Sequence, residues 1–288
     1  MKNLITLLML FGVVAVQATE PVIRSLEGGK YQLETGPVTM TVDGAMGGRI
    51  LSFRHGDREV VSQSTFPESF GSTFWTSPQS EWNWPPVPEY DKMPYTVERS
   101  DRVLVMTSHL SPKHYYRIRK EFRPETRGIA ITYIITNESA ETRRVAPWEI
   151  TRVPNEGLIF FDTPTESISP TDLIAFTAKH DLAWYRTDVR DNNRKVNADG
   201  HGWLAYLTAD NLLFVKQFPD LNAGQAAPNE AEIQVYVNRG KTFIEIENQG
   251  AYTKLAPGES LSYTVIWNLQ PAQDNPKQLA ATIKNIIN

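Results

Sequence analysis

Apolar and polar residues alternate with a period of two along most of this chain. Tyr31 and Leu33, then Val38, Met40 and Val42, alternate on either side of a turn at Gly36-Pro37. The run from Arg49 to Phe53 follows a Gly47-Gly48 break, and the pattern resumes over Val103–Thr107, Tyr116–Phe122 and Ile129–Thr136. Further strands are predicted at 143–151, 203–208, 212–218, 232–238, 242–247 and 261–269. Runs rich in Val, Ile, Thr, Tyr and Phe and closed by Gly, Asn, Asp or Pro read as half-buried strands. Trp203–Leu207 and Leu212–Lys216, around Ala209-Asp210-Asn211, read as a hairpin. One helix is predicted: Asn275 caps it, Pro276 suits its first position, and Leu279, Ile283, Ile286 and Ile287 make its apolar stripe. It should lie across the outside of a sheet. The fold class is all-β, one large domain of many antiparallel strands with a short C-terminal helix. A sheet of that size hides its edges by curving around a concave face.

The pattern fails between Ser62 and Thr96. This stretch holds Phe66, Phe70, Phe74, Trp75, Trp82, Trp84 and Tyr90, broken by prolines at 67, 78, 85, 86, 88 and 94. Prolines at that density exclude a helix interior and a central strand. Loops beyond roughly 12–15 residues are uncommon in compact domains unless they serve a function or are disordered. Disordered segments are poor in aromatics, so the stretch is expected to form a wall around a binding cleft. The alternative is a cap over one open end of a sandwich.

The amino terminus changes the setting. Lys2, the apolar run Leu4–Val16 and the small residues of Val16-Gln17-Ala18 make a secretory signal peptide, cut after Ala18. The run is too short for a membrane span of about 20 residues, and none follows. The domain then covers 19–288, exported to the periplasm or the medium. The chain has no cysteine, which removes disulfides, thiolate metal sites and cysteine nucleophiles. A net charge of −4 with acidic and basic residues well mixed lacks the basic footprint of a nucleic-acid binder. No phosphate loop or dinucleotide fingerprint appears, and no cofactor is expected. No histidine pair has zinc-motif spacing; loop carboxylates leave calcium open. Nothing in the sequence sets an oligomeric state.

Candidate chemistry lies in five places. Gly47-Gly48-Arg49 offers a planar donor fork beside a tight turn. Trp75, Trp82 and Trp84, with Glu81 and Asn83 among them, suit a sugar: indoles take the C–H faces of the ring and polar groups take its hydroxyls. Alternation from Glu81 to Trp84 would put Trp82 and Trp84 on one side. In Pro147–Arg152, Trp148, Ile150 and Arg152 point one way; Glu149 points the other, toward solvent or a polar concavity. In Phe243–Gln249, Ile244 and Ile246 face the core, so Glu245 and Glu247 share the opposite face. Inside a closed concavity one of that pair should gain a raised pKa, suited to proton transfer. Among the histidines, His114 alternates with Tyr116 and Ile118, and His201 sits in a Gly-flanked loop.

These segments, in this order, resemble the galactose mutarotase-like, or aldose 1-epimerase-like, β-supersandwich proteins, and within them an exported branch. The resemblance is carried by Gly47–Phe53, Phe74-Trp75, Trp82-Asn83-Trp84-Pro85, Asn137, Ala146–Thr151, Glu245–Gln249, Pro257–Ser260 and Trp267. It implies a single supersandwich whose concave face binds a mono- or oligosaccharide. In such mutarotases a late glutamate acts as base on the anomeric hydroxyl while histidines donate to the ring oxygen. Glu247, followed by Asn248-Gln249, looks like that glutamate. The histidine positions here read Pro147–Thr151 and Ser72–Trp75, so His114 or His201 would have to be carried close to Glu247. Three readings follow. The leading one is an exported carbohydrate-binding protein using Arg49, Trp75, Trp82, Trp84, Trp148, Glu245 and Asn248. The second is an epimerase-like or lyase-like enzyme with Glu247 as base and Glu149 or His114 returning the proton. The third is an envelope interaction protein.

Overall fold

The computed structural model describes residues 20–63, 69–222 and 224–287. The predicted signal peptide, and Phe66 with Pro67, lie outside them.

Two antiparallel sheets of eleven and ten strands face each other. In the first, Val22–Ser25, Lys30–Thr35, Val38–Asp43 and Arg49–His55 follow one another as an antiparallel meander. The sheet continues through Ser72–Ser77, Arg143–Val153, Ile244–Gln249, Ile233–Val237 and Arg194–Ala198. The second sheet centres on Gly128–Asn137, paired on one side with Tyr116–Glu125 and on the other with Ser260–Pro271. The Trp203–Leu207 and Leu212–Gln217 hairpin extends it. Every strand predicted by alternation is present.

The core lies between the sheets, where Ile131, Ile135, Phe53, Phe214 and Trp267 are fully covered. Phe53, Phe214 and Trp267 meet edge-on or tilted with centroids 4.8–5.5 Å apart. A second apolar layer covers the outside of the ten-stranded sheet. There Leu279 and Ile283 of the helix Pro276–Ile287 pack with Phe160, Trp184 and Trp203. Asn275 Oδ1 caps that helix, accepting from Lys277 N and Gln278 N at 3.1 and 3.2 Å.

One expectation is corrected. Within 62–96, Ser72–Ser77 is a central strand, hydrogen-bonded to Arg143–Val153 along its length. All six of its residues are buried. With both faces covered, and Ser and Thr as well as aromatics in the run, no alternation survives to be read. Pro78, Pro85 and Pro86 come after it, and Pro88 opens the short helix Pro88–Asp91.

Candidate functional site

Alternation along the strands sorts the candidate residues onto two faces. Toward the second sheet point Phe74, Glu149, Thr151, Ile246 and Asn248. Away from it, five adjacent strands present Thr73 and Trp75, then Trp148 and Arg152, then Glu245 and Glu247, then Tyr236, then Lys195. Register brings these together: Trp148 lies opposite Trp75, Arg152 opposite Glu245, Glu245 opposite Tyr236, and Tyr236 opposite Lys195. Directly opposed residues on neighbouring strands are within side-chain contact, so a patch forms from residues as distant in sequence as Thr73 and Glu247. Over it opens a cleft of about 370 Å³.

Glu247 is the cleft's most constrained group, only 1% exposed. Its Oε2 accepts from Trp148 Nε1 at 2.8 Å and from Lys195 Nζ at 3.1 Å. Its Oε1 has no hydrogen-bond partner among the described residues. Burial pushes the carboxyl up to about 7; the Lys195 ammonium pulls it down and the neighbouring Glu245 adds repulsion. Glu245 accepts from Arg152 Nε at 2.9 Å, while Arg152 Nη1 donates to Thr73 Oγ1 at 3.2 Å. Both cations also lie over indoles, Lys195 Nζ 4.8 Å from the Trp148 ring and Arg152 Cζ 5.7 Å from that of Trp75. The patch is thus two carboxylates interleaved with two cations on an aromatic floor. Trp84, 66% exposed, adds a free indole at the rim, edge-on to Trp75 at 6.2 Å.

The aromatic wall is held from behind. Trp75 Nε1 donates to Asp91 Oδ1 at 2.9 Å, and Arg49 Nη2 reaches the same oxygen at 3.3 Å. Trp82 Nε1 donates to Thr76 O at 2.8 Å, and its ring meets Trp75 edge-on at 5.5 Å. Asp91 closes the helix Pro88–Asp91, and Arg49 opens the strand after Gly47-Gly48. That turn is therefore structural support for the wall.

Of the residues singled out in the sequence, Trp75, Trp84, Trp148, Glu245 and Glu247 line one cleft. Arg49 and Trp82 do not line it; they stand behind it. Trp82 is buried and Trp84 exposed, because Gln79–Glu81 turns as a 3-10 helix and Asn83 takes φ 57°, which ends any alternation.

Glu149 is a correction. It faces neither solvent nor the cleft but crosses to the second sheet, with Oε1 2.8 Å from Lys216 Nζ and 3.1 Å from Trp267 Nε1. The Tyr133 hydroxyl donates to its other oxygen. Asn248 shares that inward face, its Nδ2 donating to Tyr263 Oη at 2.9 Å. His114 sits half-buried in a separate hollow with Lys113 and Arg143. The His201 side chain is 73% exposed and paired with Asp162 at 3.0 Å. No histidine lines the cleft among the described residues.

Sequence reasoning missed Lys195, Tyr236, Asn238 and Phe243 as cleft residues. Arg152 was placed by alternation on the Trp148 side, but its pairing with Glu245 comes only from register. The strand carrying Lys195 has no apolar run to betray it. Among the described residues no group of three or more His, Asp or Glu could hold a metal ion.

Comparison with family models finds no match, and comparison with curated proteins finds none either. Solved structures do match. A galactose mutarotase-like protein from Lactobacillus casei shares 12% identity over 84% of this chain and 100% of its own, with a TM-score of 0.60. A galactose mutarotase-like protein from Clostridium acetobutylicum shares 9% identity over 84% and 95%, with a TM-score of 0.57. A galactose mutarotase related enzyme from Lactobacillus acidophilus shares 11% identity over 85% and 99%, with a TM-score of 0.56. The chain has the galactose mutarotase-like fold.

Proposed function

We propose that this protein is an exported carbohydrate-binding protein, with a sugar ring held in the cleft above Trp148 and Glu247. The observation that carries this reading is the free Oε1 of Glu247, a buried carboxylate oxygen without a donor beside an indole floor. Leaving such an acceptor unpaired costs on the order of 1–3 kcal/mol, and a ligand hydroxyl removes that cost. The C–H face of a pyranose packs on the exposed indole of Trp84, while Lys195 and Arg152 offer donors to its oxygens. The shared fold supports a sugar ligand by analogy alone. A glycan array probed with the wild type and Glu247→Gln tests the reading. Wild-type retention of a saccharide that Glu247→Gln loses supports it; retention unchanged in the variant removes this cleft from consideration. Export rests on residues 1–18, and the mass of the purified exported chain should place its first residue at Thr19.

A specific observation favours an enzymatic version as the second reading. A carboxyl pushed up to about 7 is matched to general-base work at neutral pH, and Lys195 Nζ stands 3.1 Å away. Glu247 would take the anomeric hydroxyl proton as the C1–O5 bond opens and C1=O1 forms, while Lys195 gives a proton to O5. Re-closure on the other face reverses each transfer. Lys195 replaces Glu149 and His114 in this role, because neither reaches the cleft. Anomer exchange measured by NMR decides: acceleration lost in Glu247→Gln supports catalysis, and binding without acceleration leaves recognition alone.

A further inference from the structure

Beside the cleft lies a second hollow of about 430 Å³, lined by Glu81, Lys113, His114, Tyr116, Arg143 and Arg144. Its charge is unbalanced, with three cationic side chains against one carboxylate. Both guanidiniums are stacked on tyrosine rings: Arg144 Cζ is 4.4 Å from the Tyr252 centroid, and Arg143 Cζ is 5.4 Å from that of Tyr115. The hydrogen bonds they make go to uncharged oxygens. Arg144 Nη2 donates to Tyr252 O at 3.0 Å. Arg143 Nε donates to Ser139 Oγ at 3.1 Å, and its Nη1 to His114 O at 3.4 Å. Guanidiniums oriented by ring stacking, with donor edges left over, suit planar anions. The His114 imidazole is pushed down by burial and then by the Lys113 charge, as expected where positive charge is concentrated.

The hollow and the cleft share two elements. The strand Arg143–Val153 carries Arg144 at its start and Trp148 four residues later, on the same face by alternation and about 13 Å away. The turn Gln79–Glu81 lends Gln79 to the cleft and Glu81 to the hollow, so the two openings flank one turn. That separation is the span of a short sugar chain and exceeds a single ring.

We propose that the ligand is an acidic oligosaccharide: one ring lies in the cleft while a carboxylate or sulfate on a ring further along is held by Arg143, Arg144 and Lys113. The proposal rests on the saccharide reading of the cleft. Glu81 sets its selectivity, repelling anions that approach from the turn and leaving the arginine side as the landing place.

The test is an array that displays neutral oligosaccharides beside uronate-bearing and sulfated ones, probed with the wild type, Arg143→Gln/Arg144→Gln and Glu247→Gln. Acidic glycans should be retained about tenfold more strongly than neutral ones by the wild type. The double-arginine variant should lose that preference and keep its neutral binding; Glu247→Gln should weaken both. Equal retention of acidic and neutral glycans, or a preference that survives in the double variant, overturns the proposal and leaves the cleft reading standing. No retention of any glycan overturns both. Calorimetry with inorganic sulfate separates a free anion from a sugar-borne one. Sulfate bound by the wild type and lost in the double variant, without any acidic preference on the array, contradicts the oligosaccharide.

Discussion

Glu247 gathers the unusual physics of the cleft in one side chain. Its folded pKa of about 7 stands above the ordinary 4.5, so the folded state binds its proton more tightly than the unfolded chain does. That contributes stability fully present below about pH 4.5 and lost as pH rises through 7, on the order of 3 kcal/mol. Urea unfolding of the wild type should therefore show stability falling across this window, and Glu247→Gln should flatten the slope. Ligand binding carries the opposite sign, because the ionised oxygen is the acceptor. Affinity for a retained saccharide should rise between pH 5.5 and 8 in the wild type and stay level in Glu247→Gln. The same substitution should cost at least tenfold in affinity at pH 8, about 1.4 kcal/mol, measured by calorimetry.

Among the elements, the wall depends on a close approach between the Gly47-Gly48 turn and the helix Pro88–Asp91. Gly47 has φ 62°, and a Cβ there would sit 2.4 Å from Asp91 O. Gly47→Ala should cost about 2 kcal/mol and loosen Trp75, with a lower midpoint in thermal unfolding and a shifted Trp75 indole resonance. The inward Glu149–Lys216 pair makes a different prediction. Removing one partner of a buried pair costs about 3–5 kcal/mol, whereas replacing both by apolar groups is often near neutral. Glu149→Leu and Lys216→Met should each destabilise strongly, and the double variant should recover most of the loss. Saccharide binding should be retained by the double variant, since neither side chain lines the cleft. Legibility follows the same elements. Glu245 and Glu247 could be placed because Ile244 and Ile246 mark the other face of their strand. Ser72–Ser77 could not be, because burial on both sides erases the period. Lys195 stayed hidden in a polar strand. The strand carrying Lys216 was legible, but the inward course of Glu149 depends on Lys216 meeting it across the two sheets, which no local pattern specifies.

For the whole molecule, two sheets with a shared apolar interior leave one outer face free to carry polar chemistry over a rigid support. Cleft residues come from five strands adjacent in the sheet and separated in sequence, so the site exists only when the fold is complete. The seven tryptophans divide accordingly. Trp75, Trp84 and Trp148 line the cleft and Trp82 stands behind it; Trp184 and Trp203 lie under the C-terminal helix, and Trp267 lies between the sheets. The most direct measurement is a titration of the ¹⁵N-labelled protein with a retained saccharide, following the seven indole N–H resonances. Shifts at Trp75, Trp84 and Trp148 with Trp184, Trp203 and Trp267 unmoved are the expected result. Shifts confined to Trp184 and Trp203, or binding that leaves every indole unmoved, would contradict it.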